Sequence, residues 1–148
     1  MCCEIVVERS QALPASASAG CEHVHLSPEP RSVGQARQWV ADRVGPVAPE
    51  VAEALALLTT ELVTNGVLHA RTPLEVGIIR HEAEILVSVG DGNAVPPEHQ
   101  PYSEDRTGGR GMLLVREMSH RWGITSHEHG KSVWFTVVDN GSGGEGDR

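Results

Sequence analysis

The chain has 148 residues, a length suited to one domain that can fold on its own apolar core. It is 39% apolar with three Trp, one Tyr and one Phe, so the core is expected to be built from Val, Leu, Ile and Ala. A net charge of −8 excludes general nucleic-acid binding and attraction to an anionic membrane; it suits a basic protein partner, or solubility alone.

Residues 1–21 read as a flexible leader, with small residues from Pro14 to Gly20 and a possible short strand at Glu4 to Glu8. Cys2, Cys3 and Cys21 form neither a disulfide framework nor a Cys-x-x-Cys site and read as reduced thiols. His23-Val24-His25-Leu26 alternates as a strand does. Ser27-Pro28-Glu29 signals a helix start, Val33, Ala36, Arg37 and Val40 follow helical spacing, and Gly45-Pro46 stops the helix. Pro49 opens a second helix, expected from about Glu50 to His69 and broken at Arg71-Thr72-Pro73. Leu74 to Arg80 and Glu84 to Val89 read as strands joined by a turn at His81-Glu82-Ala83. A polar, Pro-rich loop follows from Gly92 to Thr107, then a helix from Met112 to Ser119. Trp122 to Ser126 and Ser132 to Val138 read as a closing hairpin, and residues 139–148 as a Gly-rich disordered tail.

This order predicts an α/β fold, an α+β two-layer sandwich with helices on one face of a mixed, largely antiparallel sheet over residues 22–138. No G-x-G-x-x-G after a first strand supports a Rossmann fold. No run of about 18 apolar residues predicts a membrane span, and the N-terminus lacks the pattern of a signal peptide, so a cytoplasmic protein is expected.

Three groups of residues invite chemistry. On the second helix, Glu61 and Asn65 are four residues apart and so are neighbours on one side. The helix is apolar nearly all round, so a carboxylate and an amide there need a polar reason. An amide oxygen can ligate Mg2+ and a carboxylate can take a proton from a hydroxyl; a hydrogen-bonded structural pair fits the same spacing. Asp91, where the strand Ile85 to Val89 leaves the sheet, can accept a hydrogen bond from an exocyclic amine or serve the turn before Gly92. Thr107-Gly108-Gly109-Arg110-Gly111 precedes a helix, where backbone N–H groups and Arg110 can cradle a phosphate; a glycine-capped turn is the other reading. Eight histidines include His23 and His25 on one face of a strand, but no cluster with zinc spacing. Trp39, Trp122 and Trp134 read as packing residues.

In order, Glu61-Leu62-Val63-Thr64-Asn65 with His69-Ala70, Val89-Gly90-Asp91-Gly92, and Gly108-Gly109-Arg110-Gly111-Met112-Leu113-Leu114-Val115 resemble the N, G1 and G2 boxes of the GHKL ATPase superfamily. They look most like the anti-sigma factor serine kinases and small histidine-kinase-like ATP-binding proteins of that superfamily. The resemblance implies a Bergerat fold binding ATP with Mg2+. It implies Glu61 as general base, Asn65 as Mg2+ ligand, and Asp91 with Gly92 at the adenine. It implies Gly109, Arg110, Gly111 and Met112 in the phosphate loop, and a lid over residues 94–107. The chain departs from many members after Gly92, reading Asn93-Ala94-Val95 where further glycine is common. Nor does it carry a helix pair with a phosphoacceptor histidine.

Two functions follow from the resemblance. One is an anti-sigma factor with serine/threonine protein kinase activity toward an anti-sigma-factor antagonist. The other is a non-catalytic ATP-binding module that sequesters a sigma factor or another regulator. Retention of Glu61 and Asn65 favours the first and the altered residues after Gly92 the second. A homodimer is a further expectation.

Overall fold

A computed structural model describes residues 22–70, 72–92, 114–127 and 130–140. Five strands, β1 (Glu22–Leu26), β2 (Leu74–His81), β3 (Glu84–Asp91), β4 (Arg121–His127) and β5 (Gly130–Val138), form one sheet in the order β1-β2-β3-β5-β4. Every pairing among them is antiparallel. Two helices, α1 (Arg31–Val44) and α2 (Pro49–Asn65), pack together, and both contact the sheet. Residues 114–118 are helical, within the helix expected from Met112. The leader and residues 141–148 lie outside the described residues. Asp139, placed in the tail on sequence, is buried: its N–H donates to the Ala83 carbonyl at 2.7 Å, and its Oδ2 accepts from Arg80 Nη2 at 3.2 Å.

The period-two pattern sorts each strand into two faces. Val76, Ile78, Ile85, Val87, Val89, Phe135 and Val137 join Leu55, Leu58, Leu62 and Val63 of α2 and Ala36 and Val40 of α1 in one core. Each large aliphatic side chain buried there contributes about 1.5–3 kcal/mol. By length and a mean hydropathy of 1.3, Pro49–His69 could cross a membrane, although it lacks an unbroken apolar run. Its Val51, Leu55, Leu58, Thr59, Leu62 and Val63 are buried in the core instead, as expected of a central helix.

α1 begins later than the Ser27-Pro28-Glu29 signal. Proline disfavours helical geometry in the residue before it, and Glu29 precedes Pro30. Ser27 to Pro30 form a turn that leads into the helix: the Ser27 carbonyl accepts from the Glu29 N–H at 2.8 Å and the Ser32 hydroxyl at 2.6 Å. Gly45 ends α1 at φ 76°, a left-handed geometry that glycine adopts without a Cβ penalty. α2 does not stay α-helical to His69: Gly66–Ala70 widen into a π-helical turn.

On the sheet face away from the helices, Arg121 of β4 reaches across β5 to Glu84 of β3. Its Nε and Nη2 donate to the two carboxylate oxygens at 2.8 and 2.7 Å, the bidentate geometry that suits a guanidinium. Burial alone would raise the Glu84 carboxyl. Hydrogen bonds from Arg121 and Thr136, with the charges of Arg121 and His120, outweigh it and hold the group below its ordinary value of 4.5. A carboxyl lowered on folding adds stability above its unfolded pKa, and that stability is lost as pH falls through the folded value. Denaturant midpoints measured from pH 6 down to pH 3 are therefore expected to fall less steeply in Glu84→Gln than in the wild type. Parallel curves would remove Glu84 from the acid sensitivity.

Candidate nucleotide site

The last turns of α2 carry the two polar residues singled out on sequence. Glu61 and Asn65 are only partly exposed. Glu61 Oε1 and Asn65 Oδ1 are each buried with no hydrogen-bond partner. A buried oxygen without a donor costs about 1–3 kcal/mol, and each of the two can accept a donor or a cation. The hydrogen-bonded pair weighed on spacing alone is absent for these two oxygens. The donor set fits a hard cation and a protonated nucleophile: an amide oxygen suits Mg2+, and a carboxylate suits a hydroxyl proton. The π-helical turn follows directly, a distortion frequent at functional sites, and it packs against β3.

Asp91 is the last residue of β3, and a hydrogen bond ties this strand end to the end of the helix. The Gly92 N–H donates to Thr72 Oγ1 at 2.8 Å, and Thr72 lies just beyond the π-helical turn. The chain that leaves α2 through the π-helical turn thus meets the exit of β3 at Thr72 and Gly92. The Asp91 carboxylate does not face solvent: it pairs with Lys131, opposite it in register on β5. The ammonium donates to Oδ2 at 3.3 Å and Oδ1 at 3.4 Å, and the side chains are 9% and 8% exposed, Asp91 and Lys131 respectively. The start of β5 is pressed against this strand end, for a Cβ on Gly130 would lie 1.8 Å from the Asp91 carbonyl oxygen. Only glycine permits that approach.

Gly92 is exposed at the strand exit. Gly109, Arg110, Gly111 and Met112, and the lid expected over residues 94–107, lie outside the described residues. Thr72 and Lys131 were missed on sequence. The signal for Lys131 was available in principle: it occupies an inward position of β5, in line with Val133, Phe135 and Val137, where a cation needs a partner. Identifying that partner requires the β3–β5 register, which no local pattern encodes. Trp134 is buried, and Trp39 and Trp122 pack against the core. His23 and His25 flank Glu75, at 3.2 and 3.9 Å. No group of three or more His, Cys, Asp or Glu side chains is arranged for a metal among the described residues.

A two-layer sandwich of two helices on a five-stranded antiparallel sheet is the architecture of a Bergerat-type ATPase domain. Residues 26–137 match the histidine kinase-like ATPase domain model, and the chain belongs to that family. Membership implies ATP as the bound nucleotide. The chain is similar in structure to the RsbU and RsbW domains of Rv1364c from Mycobacterium tuberculosis, at a TM-score of 0.55 and 16% identity over 80% of this chain and 32% of that one. It is also similar to the histidine kinase domain of the blue-light activated histidine kinase of Erythrobacter litoralis EL346, at a TM-score of 0.47 and 20% identity over 74% of this chain and 60% of that one. The chain thus spans about a third and three fifths of these two structures, and the first likeness is one of fold. Curated proteins gave no match.

Proposed function

We propose that this chain is a cytoplasmic regulatory protein that binds ATP with Mg2+ and acts as an anti-sigma factor with serine/threonine kinase activity toward an antagonist protein. The observation that carries the reading is the pair of buried oxygens without donors, Glu61 Oε1 and Asn65 Oδ1, one helical turn apart. Asn65 would hold the cation, which when bound supplies charge neutralisation at the phosphates. Glu61 would take the proton of the incoming serine or threonine hydroxyl as that hydroxyl's oxygen bonds to the γ-phosphorus and the bond from this phosphorus to ADP breaks, with ADP as the leaving group. Asp91 would accept a hydrogen bond from the adenine amine beside Gly92. Gly109, Arg110, Gly111 and Met112 would line the phosphate loop. The chain after Gly92 supports a second reading, an ATP-binding module that sequesters a sigma factor without transfer, because Asn93-Ala94-Val95 lack the glycine common there. A homodimer is part of the proposal.

Calorimetry with ATP, ADP and GTP tests the nucleotide reading. Wild-type protein is expected to bind ATP and ADP more tightly with Mg2+ present and to prefer them over GTP. Folded protein that binds no adenine nucleotide at millimolar concentration would end the reading. Asp91→Asn is expected to lower the ATP-over-GTP ratio by about tenfold, because an amide can present a donor where the carboxylate only accepts. An unchanged ratio in a folded variant removes Asp91 from base recognition. Transfer to an antagonist that co-purifies with the chain separates the kinase from the sequestering module.

A further inference from the structure

We propose that Lys131 is a second base-reading residue, which donates to N1 of adenine while the neighbouring Asp91 carboxylate accepts from the N6 amine. The inference rests on the nucleotide reading above and extends it to a residue outside the three boxes.

Asp91 and Lys131 sit opposite each other on β3 and β5, on the face that carries the core. An acceptor and a donor thus stand side by side, Nζ 3.3 Å from Oδ2. This resembles the bidentate edge with which an Asn or Gln side chain reads adenine, an acceptor for N6 and a donor for a neighbouring ring nitrogen. The Watson–Crick edge of adenine offers the complementary order, the N6 amine beside the lone pair of N1. Guanine reverses that order: O6 would face the carboxylate and N1–H the ammonium, so both contacts become repulsive.

The ion-pair contacts are long for a charge-assisted hydrogen bond, which runs about 2.7–2.9 Å. An ammonium has three protons to give, so it can turn one toward a base without leaving the carboxylate. Because Nζ lies 3.3 Å from Oδ2, a base that hydrogen-bonds that carboxylate oxygen comes within reach of the ammonium. A site built to hydrogen-bond a ligand atom strongly rejects the analogue that lacks it. Lys131 therefore adds discrimination that Asp91 alone does not provide.

The test compares ADP with 1-deaza-ADP, which keeps the N6 amine and replaces N1 by C–H. Wild-type protein is expected to bind 1-deaza-ADP roughly 10- to 100-fold more weakly, the range for loss of a charged hydrogen bond. Lys131→Met is expected to weaken ADP by a similar factor and to bind the two nucleotides alike. Equal wild-type affinities overturn the inference, and so does a Lys131→Met variant that still discriminates, since another group then reads N1. If the methionine variant fails to fold, a structure of the wild-type ADP complex decides. Nζ within about 3.2 Å of N1 supports the assignment, and Nζ turned away from the base overturns it. Wild-type protein that binds neither nucleotide refutes the nucleotide reading itself, an outcome distinct from equal binding of both.

Discussion

Glu61→Gln is expected to leave ATP binding nearly unchanged and to slow phosphoryl transfer by roughly 10²- to 10⁴-fold, the range contributed by a positioned general base. The substitution keeps size and one acceptor oxygen but removes the group that takes the proton. Asn65→Ala is expected to act differently: it removes a neutral oxygen whose proposed part is to hold the cation, so Mg2+-dependent binding and transfer should fall together. Calorimetry with and without Mg2+, run beside a transfer assay on a co-purified antagonist, separates the two effects. Wild-type transfer by Glu61→Gln would show that another group is the base. Wild-type protein that binds a sigma factor yet transfers to none of its partners would make the sequestering module the correct reading.

The second large effect concerns stability. Phe135 is fully buried at the centre of β5, opposite Val87 on one side and Trp122 on the other. The chain has a single Phe, and its ring fills the space between the middle of the sheet and the helices. Phe135→Ala removes the transfer energy of the ring and leaves a cavity, at a cost of about 3–5 kcal/mol. A domain has about 5–15 kcal/mol in all, so the variant should sit near the limit of folding. Urea titration is expected to show a large drop in midpoint. A loss below about 1 kcal/mol would mean that the site collapses around the alanine.

Legibility differed with the range of the interaction. Residues 74–91 alternate around a short turn and could be read locally as the hairpin of β2 and β3. α2 announced itself through Pro49 and the Leu55, Leu58 and Leu62 stripe. The π-helical turn did not, because its residues Gly66-Val67-Leu68-His69 continue a helical pattern and the widening depends on how the chain packs on β3. In the candidate site, spacing alone left Glu61, Asn65 and Asp91 open to structural readings, and the resemblance of the ordered boxes singled them out. What Asp91 touches was not legible: Lys131 lies 40 residues away, and only the strand register brings the two together.

The position of β5 has a consequence for how the protein is made. This strand lies between β3 and β4, yet it is the last of the five in the chain. During synthesis, β1, β2 and β3 can pair as they emerge, while β4 has no described neighbour except the strand still to come. Until residues 130–138 have left the ribosome, β3 keeps an open hydrogen-bonding edge with Ile85, Val87 and Val89 beside it. A nascent chain stalled there presents an apolar template for pairing with other chains. Completion of β5 closes that edge, seats Phe135 and brings Lys131 to Asp91, so the pairing of β4 into the sheet and the Asp91–Lys131 contact both wait on the last strand.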